Sequence, residues 1–288
     1  PFLYSLLVFC ILFSSCKKEK TTNTKNEIES ETETVSKPIN NSKTKAETPI
    51  VFSKINSIKT EVKITPINHG TMVLEYNNVV LYIDPVGGAD AFLDQKKPTL
   101  ILITDIHGDH LDLNTLKAIT TKTSRIIAPI AVAEKLPEAL NKAISVISNF
   151  QSIDLQIGNS KIAIEAIPMY NLRKEALKYH PKDRGNGYVI TLGTERIYIS
   201  GDTEDIPEMR NLKNIDIAFV CMNLPYTMPI ESAANAVLDF KPKYVLPYHY
   251  RGTNGFSDVN LFKNLVLDKN KNIKVIPLNW YPEAALAN

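Results

Sequence analysis

Histidine occurs only five times in this 288-residue chain, cysteine three times and tryptophan once. Two of the cysteines, Cys10 and Cys16, lie within the first sixteen positions. Cys221 stands alone beyond them, which excludes an intramolecular disulfide from the body of the chain. A net charge of +2 argues neither for nor against a nucleic-acid or membrane surface, and no nucleic-acid partner is expected. No apolar run approaches the ~20 residues that a membrane-spanning helix requires. With 44% apolar residues, the composition is that of an ordinary globular protein, long enough for one large domain.

The longest apolar run, Phe2 to Phe13, has the length of a signal-peptide core rather than of a spanning helix. Ser14-Ser15-Cys16 and Lys17-Lys18-Glu19-Lys20 follow. This arrangement resembles a bacterial lipoprotein signal. The resemblance implies cleavage before Cys16 and lipidation of that residue, with an ordinary cleaved signal or a short anchor as the alternative. Residues 1–16 therefore read as signal. The protein is expected to be exported and lipid-anchored to a bacterial membrane, at its periplasmic or outer-membrane face. Lys17 to Lys59 is rich in Lys, Glu, Thr, Ser and Asn and buries too little surface to offset the entropy of ordering. It reads as a disordered tether with a reach of ~35 Å. The folded domain is expected over residues 60–288.

The chemistry concentrates after Leu100 to Thr104, an apolar run that reads as a buried strand. Asp105-Ile106-His107-Gly108-Asp109-His110 follows directly. Four ligand-type residues fall in six positions, with Gly108 easing the turn. Asp112 reads as the N-cap of a helix over Leu113 to Ile119. Carboxylates and neutral imidazoles are the donors that divalent metals take. Ligands two apart on an extended turn share a side, whereas neighbours such as Asp109 and His110 point apart. One turn can therefore serve two metals about 4 Å apart. A polar loop with capping carboxylates is the plain alternative.

Around this turn the pattern predicts strands at Glu61–Ile67, Thr71–Tyr76, Val79–Ile83 and Arg125–Ala128. A helix is expected over Ala131–Leu136, and further strands near 143–147, 152–155 and 161–167. Strands 187–192 and 196–200 lead to Gly201-Asp202-Thr203. Ile215–Met222 reads as a central strand, followed by a helix over Pro229–Phe240. Lys243–Pro247 reads as a strand that delivers His249. A helix over Asp258–Asp268 and a strand over Ile273–Pro277 close the chain. Every histidine falls in one of the turns or strand ends that carry the other ligand types.

Taken in order, these segments resemble the metallo-β-lactamase superfamily. The metal turn matches its H-x-H-x-D-H signature, with Asp105 where the first histidine stands. Gly201-Asp202-Thr203 matches its G-D-T motif, and His249 its final ligand. The resemblance implies an α/β fold, the four-layer αβ/βα sandwich. It also implies two divalent metal ions: one on Asp105 and His107, one on Asp109, His110 and His249, with Asp202 bridging. Zinc is the first expectation, and the harder carboxylate of Asp105 would favour manganese or iron. The third histidine of the superfamily has no counterpart in Pro168-Met169-Tyr170-Asn171. His180 is the candidate replacement or a substrate contact, or a loop histidine packed on Pro181. His69, in Asn68-His69-Gly70, matches a site-facing histidine in the branch resembling L-ascorbate-6-phosphate lactonase, or it is a surface turn residue. Tyr226 is a candidate substrate contact. Arg173, Lys182 and Arg184 would attract an anionic small-molecule substrate, or form a solvated basic loop.

The implied activity is attack by a metal-bound hydroxide on an ester, lactone, amide or phosphoester, with Asp109 as the catalytic carboxylate that orients the nucleophile. Two other readings stay open: a degenerate member that binds metal or ligand without turnover, and a phospholipid phosphodiesterase.

Overall fold

A computed structural model describes residues 52–282. The leader with Cys16, and the tether as far as residue 51, lie outside the described residues. Within the expected tether, residues 52–59 carry structure. Ser53 donates its backbone N–H to the Pro277 carbonyl, and Ile58 is buried in the main core. Residues 52–59 of the expected tether thus lie against the domain through one apolar side chain and one backbone bond.

The first half forms a six-stranded sheet, in the order β1 (Lys63–Asn68), β2 (Thr71–Tyr76), β3 (Val79–Ile83), β4 (Leu100–Leu102), β5 (Arg125–Ala128) and β6 (Ile144–Val146). In the second half β7 (Ser152–Ile157), β8 (Ser160–Met169), β9 (Gly185–Leu192), β10 (Glu195–Ile199), β11 (Ile217–Cys221) and β12 (Tyr244–Tyr248) lie side by side. A small hairpin of β13 (Arg251–Gly252) and β14 (Gly255–Phe256) follows, and β15 (Lys274–Val275) completes the second sheet beside β12. Each sheet is antiparallel on one side and parallel on the other. β1–β3 form a meander and β3 to β6 run parallel. β7–β10 are antiparallel, and β10, β11, β12 and β15 run parallel.

Alternation along the strands divides the apolar side chains between two cores. Met72, Leu74, Leu81, Ile83, Leu100 and Leu102 face the second sheet in the main core. Val73, Val80, Tyr82, Ile101 and Ile103 point the other way. There they pack on α1 (Leu113–Ile119), α2 (Ile130–Ala133) and α3 (Glu138–Asn141), which supply Leu116, Ile119, Val132 and Leu140. The second sheet is backed by α4 (Pro207–Arg210), α5 (Ile230–Phe240) and α6 (Val259–Lys269), with Met209, Val237, Phe240, Phe262 and Val266 buried. The result is the expected α/β sandwich, helices outside two facing sheets. α1 occupies its expected residues and is capped by Asp112, whose carboxylate accepts the N–H groups of Asn114 and Thr115. α2 ends at Ala133, short of Leu136, and the chain continues in tighter turns, with the Lys135 and Leu136 N–H groups donating to the Val132 and Ala133 carbonyls. Among the described residues no helix is long and apolar enough to cross a membrane.

The architecture serves the site through its strand ends. β4, β10 and β12 each have a parallel neighbour, and all three release their chain into the same region. β4 leads into the turn at 103–110, β10 into Gly201-Asp202, and β12 into His249. Trp280, fully buried, pins this end. Its indole N–H donates to the Pro247 carbonyl at 2.9 Å, and its own carbonyl accepts from the His69 N–H at 3.2 Å. Trp280→Ala should cost about 3–5 kcal/mol of stability, read from urea denaturation. A loss under about 1 kcal/mol, the size of an ordinary surface change, would show that the C-terminal segment does not support the fold.

Candidate metal centre

Asp84 organises the metal turn from beneath. It follows β3 in the left-handed region, at φ 43°, and is fully buried. Its carboxylate accepts the Thr104 N–H and the Thr104 hydroxyl, each at 2.7 Å. It also accepts Nδ1–H of His110 at 2.8 Å. That bond fixes the tautomer of His110 and turns its Nε2 lone pair into the site. Two more left-handed residues, His69 at φ 55° and His249 at φ 47°, lie at the same place. Three strained non-glycine residues at one site show that the surrounding packing, not local preference, sets these positions. Gly70 has to be small: a Cβ there would meet His249 Cδ2 at 3.0 Å and His110 Cε1 at 3.6 Å.

The structure brings the expected ligand residues into adjoining groups. Asp105, His107 and His180 form one, and His110, Asp202 and His249 another. A third combination, His69, Asp109 and His249, shares His249. Asp202 stands between the first two groups. Its Oδ2 lies 3.3 Å from His180 Nε2 and 3.4 Å from His110 Nε2, and its Oδ1 lies 3.4 Å from His249 Nε2. Asp109 reaches His249 Nε2 and His69 Nε2, each at 3.4 Å. It is the most open of these carboxylates, with 44% of its side chain exposed. His107 turns Nδ1 to Asp105 Oδ2 at 2.8 Å.

His180 lies in the loop between β8 and β9 and is buried in the first group. Its Nδ1–H donates to the Tyr226 carbonyl at 3.1 Å. This leaves Nε2 as a bare lone pair, and that atom has no hydrogen-bond partner, as is also true of Asp202 Oδ1. Unpartnered buried donors and acceptors are costly. Two of them aimed into one gap, with imidazole and carboxylate atoms 3.3–3.4 Å away, fit a cation. The mixed N and O donor set suits zinc, manganese or iron. Asn171 braces the loop by donating to the Ala176 and Tyr226 carbonyls at 2.9 and 2.6 Å.

The carboxyl groups around the gap are all held ionised. Burial pushes the Asp202 carboxyl up, but the imidazoles of His249 and His110 beside it outweigh burial and hold it well below the ordinary range. Burial raises Asp109 too, yet hydrogen bonds from His249 and His69 prevail and keep it far below. Asp105 is drawn down to about 2: burial opposes the shift, and His107, His110 and Arg184 together overcome it. Burial lowers His69 to about 4, so it is neutral near pH 7.

The residues expected to touch substrate fall differently. Arg184 does not face open solvent: Nε and Nη2 grip Asp105 Oδ1 and Oδ2 at 3.0 and 2.7 Å. Arg173 is engaged by buried Glu204, Nε to Oε1 at 2.8 Å. Lys182 lies over the Tyr170 ring, 5.1 Å from its centre. Two of the three cations expected to draw an anionic substrate are thus neutralised by carboxylates. Tyr226 is partly exposed, and its hydroxyl accepts from Thr253 at 3.0 Å. Asp84, Thr104, Glu204 and Tyr281 are not singled out by any sequence pattern. Tyr281 binds His69 Nδ1 at 2.6 Å through its hydroxyl. Only the position of Asp84 at a strand end before Pro85 hints at its part.

Two facing sheets backed by helices, with histidine and aspartate clusters at the strand ends, define a metal-dependent hydrolase of the metallo-β-lactamase fold. The chain belongs to the β-lactamase superfamily domain family, whose profile matches residues 63–249. It is 29% identical over 232 residues to a UPF0173 metal-dependent hydrolase of Pyrococcus furiosus, covering 75% of this chain and 97% of that protein. It is also similar to the crystal structure of a protein from Parabacteroides distasonis described as a metal-dependent hydrolase. That match has a TM-score of 0.67 and 37% identity over 76% of this chain and 94% of the other. A metallo hydrolase from Ignicoccus hospitalis shares the fold, with a TM-score of 0.61 and 22% identity over 76% of this chain and 95% of that one.

Asp84→Asn should weaken metal binding about 10–100-fold, because the amide cannot hold His110 in the same tautomer with the same charge. Competition with a chromophoric chelator measures this, and unchanged affinity would remove Asp84 from the centre.

Proposed function

We propose that the protein hydrolyses an ester, lactone or phosphoester of a small molecule at a centre of two divalent metal ions, with zinc the first expectation. The observation that carries this reading is the pair of buried, unpartnered atoms, His180 Nε2 and Asp202 Oδ1, set among the other ligand-type side chains. Asp105, His107 and His180 would hold one ion, and Asp109, His110 and His249 the other, with Asp202 between them. Bound metal supplies Lewis-acid polarisation of the scissile oxygen and an activated water nucleophile. Asp109, nearly half open to solvent, would orient the nucleophile there. His69, whose Nε2 lies 3.4 Å from Asp109 Oδ2, would steady that carboxylate.

A specific observation favours the phospholipid phosphodiesterase as a second reading. Leu172, Leu177, Leu224 and Tyr226 are exposed on the two loops that meet at His180. Exposed apolar side chains on these loops would suit a substrate with an acyl or aryl group. Export and anchoring through Cys16 would place the reaction at a membrane face, which is compatible with either reading. Cys16→Ser should release the protein from membranes, and persistent membrane association would count against lipidation.

Elemental analysis of the purified protein, followed by chelation and add-back, tests the hydrolase reading. The expected result is about two equivalents of metal, with hydrolysis of p-nitrophenyl ester or bis(p-nitrophenyl) phosphate probes lost on chelation and restored by zinc. Bound metal with no turnover of any probe would support the binding-only reading. No metal uptake after add-back would contradict the centre itself.

A further inference from the structure

Resting on that reading, we propose that Arg184 compensates the charge of Asp105, so that the two together replace the neutral first histidine of the superfamily signature. The position is unusual twice over. Asp105 is fully buried, and it stands where an uncharged imidazole would otherwise donate. A carboxylate there adds one negative charge to a pocket that already contains Asp84, Asp109 and Asp202.

Arg184 removes that excess. Its guanidinium meets both Asp105 oxygens, at 3.0 and 2.7 Å, the two-pronged geometry that arginine makes with a carboxylate. It is permanently protonated. Nη2 also donates to the Tyr179 carbonyl at 2.6 Å, which fixes the side chain from behind. The guanidinium approaches His107 from its Nε2 side, at 3.4 Å, while His107 Nδ1 faces Asp105 Oδ2 at 2.8 Å. With the pair counted as neutral, the pocket keeps the three carboxylates that a signature histidine would leave.

The test uses zinc alone as the probe, on the metal-stripped full-length chain, with affinities from chelator competition and stoichiometry from elemental analysis. Wild type should bind two equivalents. Asp105→His leaves the guanidinium unpaired beside the cation position, and first-site affinity should fall about tenfold or more. The double variant Asp105→His/Arg184→Gln should recover it. If Asp105→His fails to fold, Arg184→Gln alone is read: removal of the positive charge should tighten first-site zinc, and unchanged or weaker binding would overturn the proposal. Full first-site affinity in folded Asp105→His, or no recovery in the double variant, would also overturn it. Failure of wild type to bind zinc at either position would instead refute the metal centre, so the two failures are distinct.

Discussion

Buried negative charge is the constraint on which the rest of this structure depends. Asp84, Asp105 and Asp202 are each almost wholly inaccessible to water, and Asp109 joins them at the mouth. Taking a carboxylate out of water is expensive unless positive charge or hydrogen bonds replace the lost hydration. Here the replacement comes in layers. Thr104 and His110 satisfy Asp84, and Arg184 satisfies Asp105. For Asp202, the nearest groups are imidazoles from three different segments. An arrangement that gathers acceptors and leaves some without a donor makes physical sense as a receptor for cations.

The fold makes this gathering possible by holding the ligands on rigid ends. β4, β10 and β12 lie inside their sheets rather than at an edge, and each leads directly into ligand-bearing residues. The remaining ligand loop, between β8 and β9, is long and has no strand to stiffen it. Arg173 anchors it through Glu204 and through the Pro225 and Thr227 carbonyls, and Asn171 ties it to Tyr226. His180 is thereby fixed from several directions at once. Arg173 acts on this loop's own anchoring, whereas Arg184 reaches out of the loop to Asp105 in the metal turn.

Much of this is legible from local pattern. The strands at Thr71–Tyr76, Val79–Ile83 and Arg125–Ala128 and the helix at Leu113–Ile119 occupy their expected residues, because alternation, Asp112 as a cap and turn residues all agree there. The ligand types are legible because a turn crowded with histidine and aspartate after a buried strand has few other uses. What local pattern cannot show is which side chains meet across long separations. Arg184 and Asp105 are 79 positions apart, and Asp84 and His110 26. No periodicity links such pairs, so a cation that neutralises a buried carboxylate reads, in the sequence, as a cation free to bind substrate.

The most direct test is a crystal structure of the zinc-loaded protein with anomalous diffraction recorded at the zinc edge. Two peaks about 4 Å apart are predicted, one among Asp105, His107 and His180 and one among Asp109, His110 and His249, with Asp202 touching both. A single peak, or density confined to surface sites, would contradict the binuclear centre.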